Sequence, residues 1–272
     1  MFRALSGGPV HVLARGLRVT ILAHLGALLL SATILLTGNG LQTTLLPLRA
    51  EVEGFPPLSI GMMGSSYFIG FVAGCLTTAH LVRPVGHIRV FTAMSAVASV
   101  VPLFHILALN EWAWWVLRAV TGYCLAALFL VIESWLNERT DNAVRGRVFS
   151  IYTSLTFIAV IGGQILLTLY DPTAFALFAV ASIIISLAAV PVALISIPTP
   201  LPLAAVKLDP LRLIRLSPAG TLGCFAVGLV NGAFWSLAPV FATSAGFDTT
   251  GVATFIGVAV LGGALSQWPF GR

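Results

Sequence analysis

The sequence predicts an all-α integral membrane protein that crosses the bilayer eight times. Of the 272 residues, 58% are hydrophobic and only 8% are charged, whereas soluble domains carry about 25% charged residues. The apolar residues are gathered in eight long runs, each of about 20 residues or more, the length that a hydrocarbon layer of about 30 Å requires. In addition, a block that begins at Asn39-Gly40 returns as Asn231-Gly232, which indicates an internal duplication.

Each apolar run is predicted to be a helix, because the runs are too long for strands and lack their alternation. The first run follows Arg3, Arg15 and Arg18 without any acidic residue and is longer than the apolar region of a signal peptide. We therefore interpret it as an uncleaved span, with cleavage near Ser31-Ala32-Thr33 as the alternative. The predicted spans are Val19–Leu46, Leu58–Val82, Val90–Leu109, Trp112–Leu136, Val148–Tyr170, Thr173–Ile197, Leu222–Ala242 and Gly251–Phe270.

The distribution of basic residues predicts the orientation of the spans. An even number of spans places both ends of the chain on one side. The loops on the other side hold only Arg49, together with acidic residues such as Glu51 and Glu53. By the positive-inside rule both termini are predicted to be cytoplasmic, in the cell inner (plasma) membrane. The basic residues on the side of the termini are Arg3, Arg15, Arg18, Arg83, Arg89, Arg139, Arg145, Arg147, Lys207, Arg212 and Arg215.

The duplication and one proline-rich break predict the domain organisation. Without a gap, the first copy matches the second at Pro47 and Pro239, and at Gly54-Phe55 and Gly246-Phe247. The break from Pro198 to Pro218 is read as a cytoplasmic linker with a short amphipathic piece lying on the membrane. The predicted units are residues 1–197, a six-helix bundle; 198–217, the linker; and 218–272, the first two helices of an incomplete second bundle.

Composition also excludes several classes of function. A net charge of +5, with basic residues scattered between apolar runs, suits an anionic membrane face better than nucleic acid. The three cysteines, Cys75, Cys124 and Cys224, lie within apolar runs without metal-ligand spacing, so no disulfide framework, metal or other cofactor is predicted. Neither a phosphate-binding glycine–lysine loop nor a nucleophile elbow is present, so the protein is not expected to be an enzyme.

Several local motifs resemble those of one transporter family. They are the loop Arg83-Pro84-Val85-Gly86-His87-Ile88-Arg89, the helical run Arg118-Ala119-Val120-Thr121-Gly122-Tyr123, and Glu133-Ser134-Trp135-Leu136-Asn137-Glu138 followed by Arg145-Gly146-Arg147. Together with the restart after six spans, they resemble an uncharacterised bacterial branch of the major facilitator superfamily of secondary transporters. In the loop signature Gly86 is kept, but Arg83 occupies the usual aspartate position. Gly271-Arg272 matches the first two residues of that signature again, so the chain is expected to be truncated at its C-terminal end.

The resemblance implies a fold and a mechanism. Two six-helix bundles would be related by an axis along the membrane normal and would rock around a central site. The energy would come from an ion gradient, for which a coupling proton is one candidate, or from the gradient of the solute itself. Gly162-Gly163-Gln164 lacks the proline of the antiporter signature, so that subgroup is not supported.

Polar residues within the spans are the candidate solute-binding residues. Asn39, Gln42 and Thr43 follow helical spacing on the first span. The repeat places Asn231 and Trp235 correspondingly on the seventh span, as a central solute site would require. Arg118, inside the fourth span, is a candidate for the solute cavity or for coupling, because a charge within hydrocarbon is costly. Further candidates are Tyr123 and Gln164; for all of these polar residues the alternative is packing or hydrogen bonding between helices.

A second group of charged residues is predicted near the cytoplasmic ends of the spans. Glu133 is expected to join a charge cluster that closes the inner mouth, with proton carriage as the alternative. Either role requires Glu133 to face protein rather than lipid. The predicted cytoplasmic gate consists of Arg83, Gly86, Arg89, Glu133, Arg145 and Arg147.

These observations predict a secondary active transporter that moves a small solute by alternating access. Its partners would be the lipid bilayer and a small molecule, and Arg118 favours an anionic or amphiphilic solute. The chain of 272 residues alone is expected to be inactive, with the seventh and eighth spans exposing faces meant for further helices. The alternative is a non-transporting membrane subunit or scaffold that is complete with eight helices.

Overall fold

All regular secondary structure in the described part of the chain is helical. The computed structural model describes residues 9–142, 144–194 and 209–270. Eight helices in these ranges are long and apolar enough to cross a membrane, which confirms the predicted fold class. The helices are α1 (Pro9–Val52), α2 (Pro57–Val85), α3 (His87–Leu107), α4 (Glu111–Arg139), α5 (Arg145–Leu167), α6 (Phe175–Leu187), α7 (Ala189–Ala193), α8 (Pro210–Leu216), α9 (Pro218–Ser244) and α10 (Thr249–Phe270).

The predicted and observed spans differ mainly at their ends. The helix α1 begins before the apolar run and continues past Pro47 to Val52, because a helix is limited by capping rather than by hydrophobicity. The sixth span consists of α6 and α7, which together cover Phe175–Ala193. The short helix α8 occupies part of the predicted linker. Residues 195–208, including Lys207, lie outside the described residues, as do Arg3 and Gly271-Arg272; the division into domains stays a prediction.

Side-chain caps or prolines stand at the starts of several helices. The side chain of Asn110 accepts a hydrogen bond from the backbone N–H of Ala113 at 2.9 Å, at the start of α4. At the start of α9, the side chain of Ser217 accepts a hydrogen bond from the backbone N–H of Gly220. Such caps satisfy backbone donors that have no partner within the helix. Pro57, at the first position of α2, has no N–H to satisfy.

The two copies of the repeated block adopt the same local structure. The offset between the copies is 192 residues, and it relates the end of α1 at Val52 to the end of α9 at Ser244. The loops that follow turn at glycines of positive φ, 78° at Gly54 and 90° at Gly246. A residue with a Cβ is disfavoured in this conformation, so glycine is required in both loops.

The same pair of loops also shares its hydrogen bonds. In the first copy the N–H of Phe55 donates to the carbonyl of Ala50 at 2.9 Å, and in the second the N–H of Phe247 donates to Ala242 at 3.1 Å. Both are the long-range bonds of a helix C-cap that is closed by a glycine. The two copies of the repeated block therefore share their local geometry, while the duplication itself stays a prediction.

Small residues allow two pairs of helices to approach closely. The helices α2 and α4 are in contact at Gly70 and Gly122, where an added Cβ would lie only 1.8 Å from the carbonyl oxygen of Ala119 and 1.9 Å from that of Tyr67, respectively. On α5, a Cβ at Gly163 would lie 2.5 Å from the backbone nitrogen of Leu41 on α1. Backbone approach of this kind is typical of helix packing in membranes.

The helices after the linker are poorly covered by the rest of the described chain. Among the residues of α9, only Pro239 and Ala242 are buried, while large side chains such as Phe225 and Val230 are exposed. The helix α9 contacts α1, α2 and α10, and α10 contacts α5. This exposure agrees with the expectation that the seventh and eighth spans present uncovered faces.

A polar contact ties the end of α1 to the loop between α5 and α6. Arg49 forms an ion pair with Glu53 at 2.6 Å and also donates to the backbone carbonyl of Thr173. The carboxylate of Asp171 accepts hydrogen bonds from the hydroxyl and the backbone N–H of Thr173. These hydrogen bonds, the hydroxyl first, lower the pKa of Asp171, and the nearby Arg49 lowers it further.

Candidate functional site

A cavity of about 310 Å³ lies where the two copies of the repeat meet. It is lined from α1, α2, α4, α5 and α9, and so from both sides of the linker. This volume is at the lower end of the range for ligand sites, about 300–1,000 Å³. The lining residues are Asn39, Gly40, Thr43, Gly64, Tyr67, Phe68, Arg118, Val160, Asn231, Trp235 and Ser236.

The structure brings five of the predicted solute-binding residues together at this cavity. Asn39 and Thr43 line it from α1, Arg118 from α4, and Asn231 and Trp235 from α9. The repeat offset relates Asn39 to Asn231 and Thr43 to Trp235, so equivalent positions of the two copies contribute to one site. Their role in binding a solute stays a prediction.

Gln42 and Gln164 are not among the lining residues. Gln42 is fully buried, and neither polar atom of its amide has a hydrogen-bond partner in the described part of the protein. It lies about 100° around the helix from Thr43, which faces the cavity. The amide nitrogen of Gln164 donates to the carbonyl of Gly40 at 3.1 Å, which is the interhelical hydrogen bond considered as its alternative role.

Tyr123 also lies away from the cavity. Its position five residues after Arg118 places it about 140° around α4 from that residue. Its hydroxyl accepts a hydrogen bond from the hydroxyl of Thr77 at 2.9 Å, which links α4 to α2.

Arg118 is the charged residue of the cavity, and no acidic residue of the described ranges lines the cavity with it. The side chain is only 8% exposed, and its Nη1 has no hydrogen-bond partner among the described residues. Its Cζ lies 4.6 Å from the centre of the Tyr67 ring, in cation–π geometry. A ring contact stabilises a guanidinium from one face but leaves the N–H groups in its plane available.

Tyr67 and Phe68 were not anticipated as site residues. An aromatic residue in an apolar helix is most simply explained by packing, so its identity alone gives no signal. The spacing of Tyr67 does give a signal. Tyr67 precedes Gly70 and Gly74 by three and seven residues and therefore lies on the same face of α2. That face packs against α4, which carries Arg118.

On α9, Ser236 was also not anticipated, and it marks a close approach to α2. A Cβ added at Gly64 would lie only 1.8 Å from the hydroxyl oxygen of Ser236. The absence of a side chain at Gly64 thus allows α9 to close one side of the cavity.

The residues of the predicted cytoplasmic gate are near the ends of α2, α3, α4 and α5. Gly86 joins α2 to α3 with a φ of 91°, and its N–H donates to the carbonyl of Val82 at 2.8 Å. Glu133 is exposed, and within the described ranges no ion pair joins it to any of the predicted arginines. The charge cluster therefore stays a prediction. Those arginines are Arg83, Arg89, Arg145 and Arg147.

Comparison with known proteins identifies the family. The model of the Major Facilitator Superfamily matches residues 28–272 of the chain. The chain belongs to this superfamily. Its membership agrees with the eight apolar helices and establishes a membrane transporter family, as the loop and helix motifs suggested.

This superfamily member is similar to bacterial proteins that are named as uncharacterised transporters. The chain is 28% identical over 248 residues to "Uncharacterized MFS-type transporter YcaD" of Escherichia fergusonii. It is 26% identical over 248 residues both to "Uncharacterized MFS-type transporter Ent638_1421" of Enterobacter sp. (strain 638) and to YcaD of Salmonella arizonae. Each alignment covers 90% of this chain and 65% of the relative, so the chain spans about 65% of the length of these curated relatives.

The lining of the cavity determines what it can do chemically. It presents one cation, amides and hydroxyls on a surface that is otherwise aromatic or aliphatic. In the described ranges no three His, Cys, Asp or Glu residues come together as a metal site would require. The arrangement is suited to binding a small molecule through a few directed contacts.

Proposed function

We propose that the protein is a secondary active transporter whose solute path runs through the cavity between α1, α2, α4, α5 and α9. Membership of the superfamily supports transport as the general function. The observation that carries the specific proposal is the matched lining, in which Asn39 and Asn231 come from equivalent positions of two repeated helices. A site shared between two related halves can be opened to either side by rocking one half against the other.

The contacts around the cavity support such a movement. The helices α1 and α5 are joined by direct backbone approach at Gly163, and α2 and α4 by the approach at Gly122. Contact across the repeat is less extensive: α9 approaches α2 closely at Gly64 and Ser236, but most of α9 is exposed. The pairs joined by backbone approach would move as rigid units, while α9, which is mostly exposed, would open and close against them.

The orientation in the membrane is part of the proposal. Both termini would be cytoplasmic, in the inner membrane of a bacterial cell, since the basic residues concentrate on that side. The driving force would be an ion gradient, with a proton as the coupling ion, or the gradient of the solute. Reporter domains that are active only in the periplasm or only in the cytoplasm, fused after residue 272, test the orientation; periplasmic activity would contradict it.

Accessibility of the cavity from both sides of the membrane tests alternating access. The three native cysteines are replaced by serine, and a single cysteine is introduced as Ser236→Cys. We expect a charged, membrane-impermeant maleimide to label this cysteine in both right-side-out and inside-out vesicles. Ser186→Cys is the matched control, because Ser186 is exposed on the outside of α6 and charged reagents do not react within lipid.

Two results would contradict the proposal. Labelling from one side only would show a pocket that never opens to the other side, as a scaffold or receptor would have. Release of a trapped anionic dye from the vesicles would show a permanently open pore. A transporter labels from both sides and retains the dye.

A further inference from the structure

The cation in the cavity indicates which class of solute the site binds. Arg118 is buried, and a buried charge without a counter-charge is strongly disfavoured. Its Nη1 remains without a partner among the described residues. The Tyr67 ring is a partial compensation only, since a ring quadrupole carries no net charge.

No carboxylate of the described residues lines the cavity beside Arg118. All nine acidic residues of the sequence lie within the described ranges, and none of them lines the cavity. The ion pair of Arg49 with Glu53 lies at the end of α1 rather than at the cavity. Among the residues that the structure describes, none therefore supplies a negative charge to Arg118 at the cavity, and a bound solute can supply it.

The rest of the lining constrains the shape of the solute. Three aromatic side chains face the cavity, Tyr67, Phe68 and Trp235, and the polar groups beside them are neutral amides and hydroxyls. Aromatic walls favour a flat apolar body, and the guanidinium plane favours a planar anionic group. The cavity of about 310 Å³ limits the solute to a small molecule.

We propose that the solute is a small organic carboxylate with an aromatic or similarly apolar body. Its carboxylate accepts a hydrogen bond from Nη1 of Arg118, and its body lies between Tyr67, Phe68 and Trp235. This assignment rests on the proposed transport function and names the substrate class for it. Neutralisation of Arg118 by the solute also couples occupancy to the electrostatics of the site, because only the loaded cavity is free of net charge.

Three probes of one size and shape test the assignment. Benzoate, benzamide and benzylamine share a ring but carry an anionic, a neutral and a cationic group. The purified chain in lipid nanodiscs is titrated with each probe, and binding is followed by the rise of the thermal midpoint and by tryptophan fluorescence. We expect benzoate to bind, and neither benzamide nor benzylamine to have an effect at the same concentration.

Substitutions then locate the contact. Arg118→Gln should weaken benzoate binding about 10- to 100-fold, the range of a lost hydrogen bond to a charged group. Arg118→Lys, which keeps the charge, should retain part of the affinity. Arg212→Gln on the exposed helix α8 is the matched control and should bind benzoate as the wild type does. Size-exclusion profiles show which variants are folded.

The outcomes separate this proposal from the proposed function. Equal binding of benzamide, unchanged benzoate affinity in Arg118→Gln, or no effect of benzoate at millimolar concentration would each overturn the carboxylate assignment. Two-sided labelling of Ser236→Cys would still support transport in those cases. One-sided labelling with intact benzoate binding would instead overturn transport and leave an anion-binding site.

Discussion

Replacing Gly122 with alanine tests whether the approach of α2 and α4 holds the cavity in shape. The new Cβ would lie 1.9 Å from the carbonyl oxygen of Tyr67, whereas a carbon and a carbonyl oxygen in contact are separated by about 3.3 Å. The helices would have to separate locally by the difference, about 1.4 Å. The nearest atoms all belong to the backbone of Tyr67 and Phe71, so rotation of a side chain cannot relieve the clash.

The free-energy balance follows from two opposing effects. Overpacking costs about 1–3 kcal/mol, and contact with a rigid backbone places Gly122→Ala at the upper end. Alanine in a helix gains at most about 1 kcal/mol over glycine. The variant should therefore lose about 2 kcal/mol of stability, which corresponds to a fall of roughly 4–8 °C in the thermal midpoint of a chain of this size.

A matched substitution on α2 separates the clash from the change in helix propensity. A Cβ at Gly61 would have nothing within 4 Å, so Gly61→Ala should be neutral or stabilising by up to about 1 kcal/mol. Thermal unfolding of both variants in the same detergent, followed by tryptophan fluorescence, is the measurement. A midpoint for Gly122→Ala equal to that of Gly61→Ala would refute the packing argument. The displacement should also weaken benzoate binding, since Tyr67 and Arg118 are on the separated helices.

Two other predictions concern loops. Gly54→Ala and Gly246→Ala should each cost about 1–2 kcal/mol, because both glycines have positive φ. Gly257→Ala on α10, which meets nothing within 4 Å, is the control, and similar thermal midpoints for all three variants would contradict the prediction. Hydrogen bonds lower the pKa of Asp171 in the folded state, so its carboxylate stabilises the loop above the unfolded pKa of about 4 and loses this effect as the pH falls below it. The midpoint of Asp171→Asn should therefore lie below that of the wild type at pH 6 and converge with it in acid; a difference that persists in acid would exclude the carboxylate as its source.

The sequence predicted those parts of the fold that depend on the chain alone. Hydrophobic run length defined the spans, and the repeat located the paired loops at Gly54 and Gly246. The repeat also placed Asn231 opposite Asn39, because equivalent helices contribute equivalent positions. Arg118 could be predicted as a site residue because a charge within an apolar run is expensive.

The parts that could not be predicted depend on how helices pack. Gln42 satisfied the spacing rule with Asn39, but it lies on the edge of that face and is buried away from the cavity. In the sequence Tyr67 looks like an ordinary aromatic packing residue. Its contact with Arg118 exists because α2 packs against α4. The position of Gln164 depends on the contact of α5 with Gly40. Such contacts are set by side-chain shapes on two helices at once, and a single sequence does not display them.

The prolines within α1 and α9 have a consequence for how these helices deform. Pro47 and Pro239 lie inside the helices at matching positions of the repeat. A proline has no N–H, so the carbonyl four residues earlier loses its usual partner, and those carbonyls belong to Thr43 and Trp235, which both line the cavity. Each helix can therefore flex at the level of the cavity without breaking a hydrogen bond. The bound molecule would sit between two built-in hinges, one from each ancestral copy.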